Sequence, residues 1–201
     1  MSIAKTSQRR ADMIVETRAK LMAAGRRAFA AKGYAGASMD DLTAEAGLTR
    51  GALYHHFGDK KGLLAAVIAE IDSEIAARLR VIIAQADTAW DAFIDESVAW
   101  IEMSMEPEIR RIMLLDGPAV LGDPSGWVGQ TACVDSTARS IRRLIDEGLA
   151  KPVDPDAAAR LVNGAALSAS LWIASAEDPR AVSARAIESF LALASGLRKH
   201  A

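Results

Sequence analysis

Residues 38–60 read SMDDLTAEAGLTRGALYHHFGDK, and this stretch decides the fold. Ser38 is a residue type that caps helix N-termini, and Asp41 follows three residues on, where a capping box carries its second side chain. Met39, Leu42 and Ala46 recur at helical spacing and point inward. Gly47 breaks this helix, Leu48 plugs the turn, and Thr49 caps the next helix. There Leu53 and Phe57, four residues apart, form the buried face, so Arg50, Tyr54 and His55 lie on other faces. Gly58 and Asp59 end that helix, and Asp59 caps a long one beginning near Lys60. Two short helices joined by a glycine turn, the second with an exposed polar face, are a device for setting one helix into the major groove of DNA.

The flanks extend the same pattern. Residues up to about Ala11 read as a polar, basic arm without strong periodicity. From there to Lys32, Leu21, Ala24, Gly25, Ala28 and Phe29 form one stripe, and Gly33 stops the helix. Gly25 costs about 1 kcal/mol against alanine inside a helix, which points to a close helix contact. Downstream, Leu64, Val67, Ile71, Ile75, Leu79 and Ile82 mark a long helix to about Gln85, and another runs from near Asp87 to before Pro107. Glycines and prolines break residues 116–126, and a further helix closes at Gly148 and Pro152. Asp154-Pro155 and Asp178-Pro179 each pair an Asp cap with proline at the first helical position, introducing helices over about 155–176 and 179–198. No alternating strand pattern competes. The expected fold is all-α, with about nine helices.

The 201 residues are 51% hydrophobic and 25% charged with six prolines, which suits a soluble globular chain and excludes a disordered or fibrous one. The net charge of −2 hides an asymmetry, +5 over residues 1–61 and −7 over the remainder, so the front of the chain is the part suited to a polyanion. No apolar run approaches the roughly 20 residues a bilayer requires, and no secretory leader is readable. The single cysteine, Cys133, reads as a small buried thiol in a protein of the reducing cytoplasm. Zinc-protease, nucleophile-elbow and phosphate-loop motifs are missing, and the histidines His55, His56 and His200 do not make a metal site. The expectation is a protein that is not an enzyme and uses no metal or cofactor. A ligand-binding or scaffold protein without DNA binding is the competing reading.

Chemistry assigns roles within the reading head. Arg50 suits a guanine edge or a phosphate, and Ala52 a thymine methyl. Thr49, Tyr54 and His56 can donate to phosphate oxygens, and Lys60 adds charge. Gly51 lets the backbone approach DNA, and Ser38 at a helix N-terminus can offer a phosphate its amide and hydroxyl.

The residues Phe29, Lys32-Gly33-Tyr34 and Ala46-Gly47-Leu48-Thr49-Arg50-Gly51-Ala52-Leu53-Tyr54-His55-His56-Phe57 resemble the N-terminal domain of the tetracycline-repressor (TetR) family, over about 45 residues. The resemblance implies DNA contact by Ser38, Thr49, Arg50, Gly51, Tyr54, His56 and Lys60. Ala52 and His55 complete the DNA-facing set and depart from the family pattern, in which a hydroxyl residue and a second tyrosine are common.

For the rest of the chain the resemblance implies a head over residues 1–58 and a ligand-binding and dimerisation domain over residues 59–201. Homodimers form through the last two helices, packed as a four-helix bundle. The sequence fits with stripes at Leu161, Ala165, Ser168 and Trp172, and at Val182, Ala186, Phe190, Leu193 and Leu197, beside small residues including Gly164. An unidentified small molecule is expected in the middle helices, lined by Trp100, Met103 and Trp127. The implied function is a ligand-responsive transcriptional regulator, a repressor released from a palindromic operator by an inducer. Its two reading helices would sit about 34–36 Å apart, or near a multiple of that, with the helix after Lys60 as lever.

Overall fold

The computed structural model describes residues 2–199. Among these residues the chain forms nine α-helices: α1 (Ser2–Gly36), α2 (Met39–Ala46), α3 (Arg50–Phe57), α4 (Lys60–Gln85), α5 (Ala89–Met103), α6 (Gly117–Leu121), α7 (Val128–Asp146), α8 (Pro155–Ser175) and α9 (Pro179–Ser195). A π-helical segment, Ile109–Asp116, leads into α6, and α6 with a short 3-10 turn at Pro124–Gly126 occupies the expected broken stretch. The caps explain most of the starts. Ser38 Oγ accepts the Asp41 amide at 3.0 Å, Thr49 Oγ1 the Ala52 amide at 3.2 Å and Asp59 Oδ1 the Gly62 amide at 2.7 Å. Asp154 and Asp178 do the same for α8 and α9. The capping box is only half made, because the Asp41 carboxylate pairs with Lys32 at 3.3 Å. His200 lies outside the described residues.

The N-terminal arm is helical, contrary to its reading as an aperiodic segment. Gln8–Lys20 are almost all exposed, so this part of the helix needs no apolar stripe. Extending an established helix needs only one hydrogen bond per residue fixed, and local pairs such as Glu16–Lys20 at 2.8 Å support it. At Gly33 the helix is interrupted (φ 70°, ψ 172°), a conformation reserved for glycine, and one more turn follows.

One apolar core runs through the head into the body. Leu21, Phe29, Leu42 and Leu53 pack with Leu63, Leu64, Val67 and Ile71 of α4 and with Met113 of the π segment. Gly25 is the expected close contact, since a Cβ there would lie 2.9 Å from the Leu63 side chain. A second cluster joins α5, α7 and α8 around Phe93, Ile141 and Leu144, and a third joins α5, α8 and α9 around Ile101, Ile173 and Phe190. The α9 stripe is therefore divided: Ala186 and Phe190 serve their own chain's core, while Leu193 is exposed. α8 is long and apolar enough by length and composition to cross a membrane, contrary to the expectation that no run came close. It packs with α5, α7 and α9 as a core helix of the bundle.

Candidate nucleic-acid interface and effector cavity

Leu53 is fully buried, and this fixes the rotation of α3. Thr49, Arg50, Gly51, Tyr54 and His55 consequently face out, Tyr54 with 55% of its surface exposed, while Ala52, His56 and Phe57 are half-buried. Ser38 is exposed beside this face, at the start of α2. A Cβ on Gly51 would meet only Thr49 Oγ1, at 3.7 Å, so the surface there is open. The Arg50 fork is held by Asp40 of α2, Nε to Oδ1 at 2.6 Å and Nη2 to Oδ2 at 2.5 Å. Both groups are solvent-exposed, so the pair orients the guanidinium and adds little stability. The His56 ring meets His55 edge-on and Phe57 at a tilt, and Arg18 covers the Phe57 ring at 4.7 Å. Burial, then the His55 and Arg18 charges, lowers the His56 pKa below its ordinary 6.5, so its imidazole is neutral at pH 7.

Lys60 does not simply project outward. Its Nζ donates to the carbonyls of Tyr34 at 2.8 Å and Ala37 at 2.9 Å, and lies 4.2 Å from the Tyr34 ring centroid. The ammonium thus closes the C-terminal end of α1 onto the start of α4. Two further contributors were not singled out by sequence. Asp40 holds Arg50, and Gly62 is close-packed: a Cβ there would lie 1.9 Å from the Phe57 carbonyl oxygen. A glycine in the first turn of a well-capped helix was the available signal.

A cavity of about 560 Å³, partly open to solvent, lies between α4, α5, α7 and α8. Trp100 lines it. Met103 instead packs in the core, and Trp127 lines a small side recess shared with Asp72, Trp100 and Gln130. Length and adaptability of side chain did not separate these three; position on the helix does. Asp72 shares the helical register of Ile68, Ile75 and Leu79, and Glu96 that of Phe93 and Trp100, so two carboxyl groups occupy inward-facing positions. A Cβ on Gly129 would lie 2.2 Å from Asp72 Oδ2, so the glycine lets this carboxyl lie against α7. Burial pushes Asp72 up to about 6 and raises Glu96. Cys133 is half-buried and also lines the cavity; burial first, then the charges of Glu96 and Asp72, pushes its thiol up to about 11. It stays protonated and unreactive at neutral pH.

Two family profiles match this chain. Residues 21–67 match the profile described as bacterial regulatory proteins, tetR family, and residues 90–197, more than half of the chain, match the tetracyclin repressor-like C-terminal domain. The chain belongs to the TetR family. A crystal structure of a TetR-family transcriptional regulator from Pectobacterium atrosepticum is 48% identical, with a TM-score of 0.88, over 94% of this chain and 97% of that one. The structure of SmeT, repressor of the Stenotrophomonas maltophilia multidrug efflux pump SmeDEF, is 25% identical with a TM-score of 0.66, over 92% and 93% of the two chains. The HTH-type transcriptional repressor AcnR of Corynebacterium glutamicum is 28% identical over 140 residues, 68% of this chain and 70% of that one. This TetR-family protein is a DNA-binding transcriptional regulator and not an enzyme.

In this regulator, polar clamps tie the head to the body. Arg26 of α1 donates to both Glu108 oxygens at 2.8 and 2.7 Å, and to both Glu74 oxygens of α4 at 2.6 and 2.7 Å. Asp116 Oδ2 accepts the Tyr34 amide at 2.7 Å and Arg111 Nε at 3.2 Å. A Cβ on Gly33 would lie 1.8 Å from the Arg111 guanidinium, so Gly33 opens space for it. Arg110 donates to the Ala174 carbonyl at 2.7 Å. The π segment therefore grips α1 on one side and the end of α8 on the other.

Proposed function

We propose that this regulator is a ligand-responsive repressor, a homodimer released from a palindromic operator when a small molecule enters the cavity. The observation that carries this reading is a cavity whose α4 wall also bears Glu70 and Glu74, partners of Arg26 in α1. A ligand that favours one arrangement of α4 and the π segment shifts the head only by its differential affinity for the two arrangements. The lever is then α4 together with the π segment. In this reading the protein acts in the cytoplasm. The division into residues 1–58 and 59–201 belongs to the proposal, with the first turns of α4 shared between the two.

On the DNA, Arg50 reads a base, Ala52 and His55 tune the operator sequence, and Gly51 admits the backbone. Ser38, Thr49, Tyr54 and His56 grip phosphates, and Lys60 adds its charge there while holding α1. Titration against the protein's own upstream intergenic DNA tests this. Arg50→Ala should cost about 1–3 kcal/mol at one base position and relax the preference there. Specific binding that ignores this substitution would remove Arg50 from base reading.

The dimer seam is proposed to run along α8 and α9, where Leu161, Trp172 and Leu193 are 76%, 46% and 70% exposed. A Cβ on Gly164 would meet nothing of its own chain within 4 Å, which leaves room for a partner helix. Leu161→Glu combined with Leu193→Glu should give a monomer by sedimentation equilibrium and lose cooperative operator binding. A dimer that survives both charges would place the seam elsewhere.

A further inference from the structure

Asp72, Glu96 and Cys133 come from α4, α5 and α7 and line the same cavity, and the Cys133 thiol feels the charges of both carboxyl groups. Burial is the sole cause of the raised Asp72 and Glu96 values, with no hydrogen bond or opposite charge offsetting it among the described residues. Arg80 and Arg139 also line the cavity, but both are exposed and neither pairs with these carboxyl groups. The Cys133 thiol is neutral. At neutral pH Asp72 therefore carries negative charge in the cavity with no paired counter-charge among the described residues, a costly arrangement for a largely buried group unless an occupant supplies one. A second group there is also unmet: Trp127 Nε1, in the recess beside Asp72, is buried without an acceptor among the described residues.

We propose that the cavity takes a lipophilic cation, an amine or quaternary ammonium on an apolar body, whose charge is met by Asp72 and Glu96. This deepens the reading of the cavity as the effector site and rests on it. Ile75, Leu79 and Val162 receive the apolar part, and Trp100 adds an aromatic ring to the same lining. Trp127 remains free to donate to any oxygen the ligand carries. As pH falls through about 6 Asp72 takes up a proton, so affinity for the cation falls with it, while the Cys133 thiol, pushed up to about 11, stays neutral.

The test uses three probes with one ten-carbon chain, decyltrimethylammonium, decanol and decanoate, titrated calorimetrically into the full chain. At neutral pH the cation should bind at least about tenfold tighter than decanol, with the advantage shrinking at a pH one unit below the Asp72 value. Asp72→Asn with Glu96→Gln should bring cation affinity down to that of decanol. Decanoate binding tightest, a cation no tighter than decanol, or a cation advantage untouched by the double substitution would each overturn the inference. The head-group series on the unaltered protein decides even if the double variant does not fold. Operator titrations separate the two readings. A cation that binds without weakening operator affinity supports the cavity chemistry and defeats ligand release. Release by decanol or decanoate, and not by the cation, supports ligand release and defeats the cation.

Discussion

Gly62→Ala should weaken specific operator binding by about 100-fold or more, although residue 62 touches no expected DNA contact. The Gly62 amide donates to Asp59 Oδ1 at 2.7 Å, which fixes the first turn of α4. A Cβ would lie 1.9 Å from the Phe57 carbonyl oxygen, an atom of the α3 backbone rather than a flexible side-chain end. Either the Asp59 cap opens or α3 moves, and α3 cannot move alone because Leu53 is packed in the core shared with α1 and α4. Overpacking of this kind costs about 1–3 kcal/mol when backbone must shift. If α3 absorbs the movement, operator affinity should fall by about 100-fold or more, since every base and phosphate contact on that helix loses register together. Gly51→Ala is the control: its Cβ has open space, so the variant should melt like the unaltered protein. Thermal unfolding followed by circular dichroism, paired with operator titration, reads both. Gly62→Ala melting and binding like the original would refute the close-packed joint.

The contrast between the two glycines shows what the sequence could carry. Ser38, Thr49, Asp59, Asp154 and Asp178 were readable as caps because a cap is a local hydrogen bond spanning three residues. The rotation of α3 was readable because Leu53 and Phe57 share one face. What could not be read depends on partners far along the chain. By sequence Lys60 is a bare charge, yet the carbonyls that hold it belong to Tyr34 and Ala37, more than twenty residues earlier in the chain. Gly51 and Gly62 differ only in what lies beyond their missing Cβ atoms. In the body, choosing large apolar residues found Trp100 but also chose Met103, which fills core, and Trp127, which lines a side recess. The better signal was polar: Asp72 and Glu96 stand in register with apolar neighbours, where a structural helix would place another leucine.

Asp72→Asn should make the protein more stable at neutral pH. The Asp72 carboxyl titrates near 6 in the folded chain against an ordinary 3.8, because burial disfavours its charge. The folded state thus binds more protons than the unfolded state between those two values. Stability falls as pH rises through this window, and the full cost is present above about 6. At 1.36 kcal/mol per pH unit the difference corresponds to roughly 3 kcal/mol, and the partial solvent access of Asp72 reduces the expectation to about 1–2 kcal/mol. Asparagine keeps the shape and carries no charge, so it should recover that amount at about pH 7.5 and lose the advantage below about pH 4. In a chain of this size the gain raises the melting temperature by roughly 2–4 °C per kcal/mol. Urea denaturation at both pH values measures it. Equal stability at pH 7.5 would mean that Asp72 has its charge met within the protein, and the case for a cationic ligand would fall with it. A gain confined to the higher pH would show instead that folding tolerates an uncompensated charge in this cavity, the charge a bound cation would neutralise.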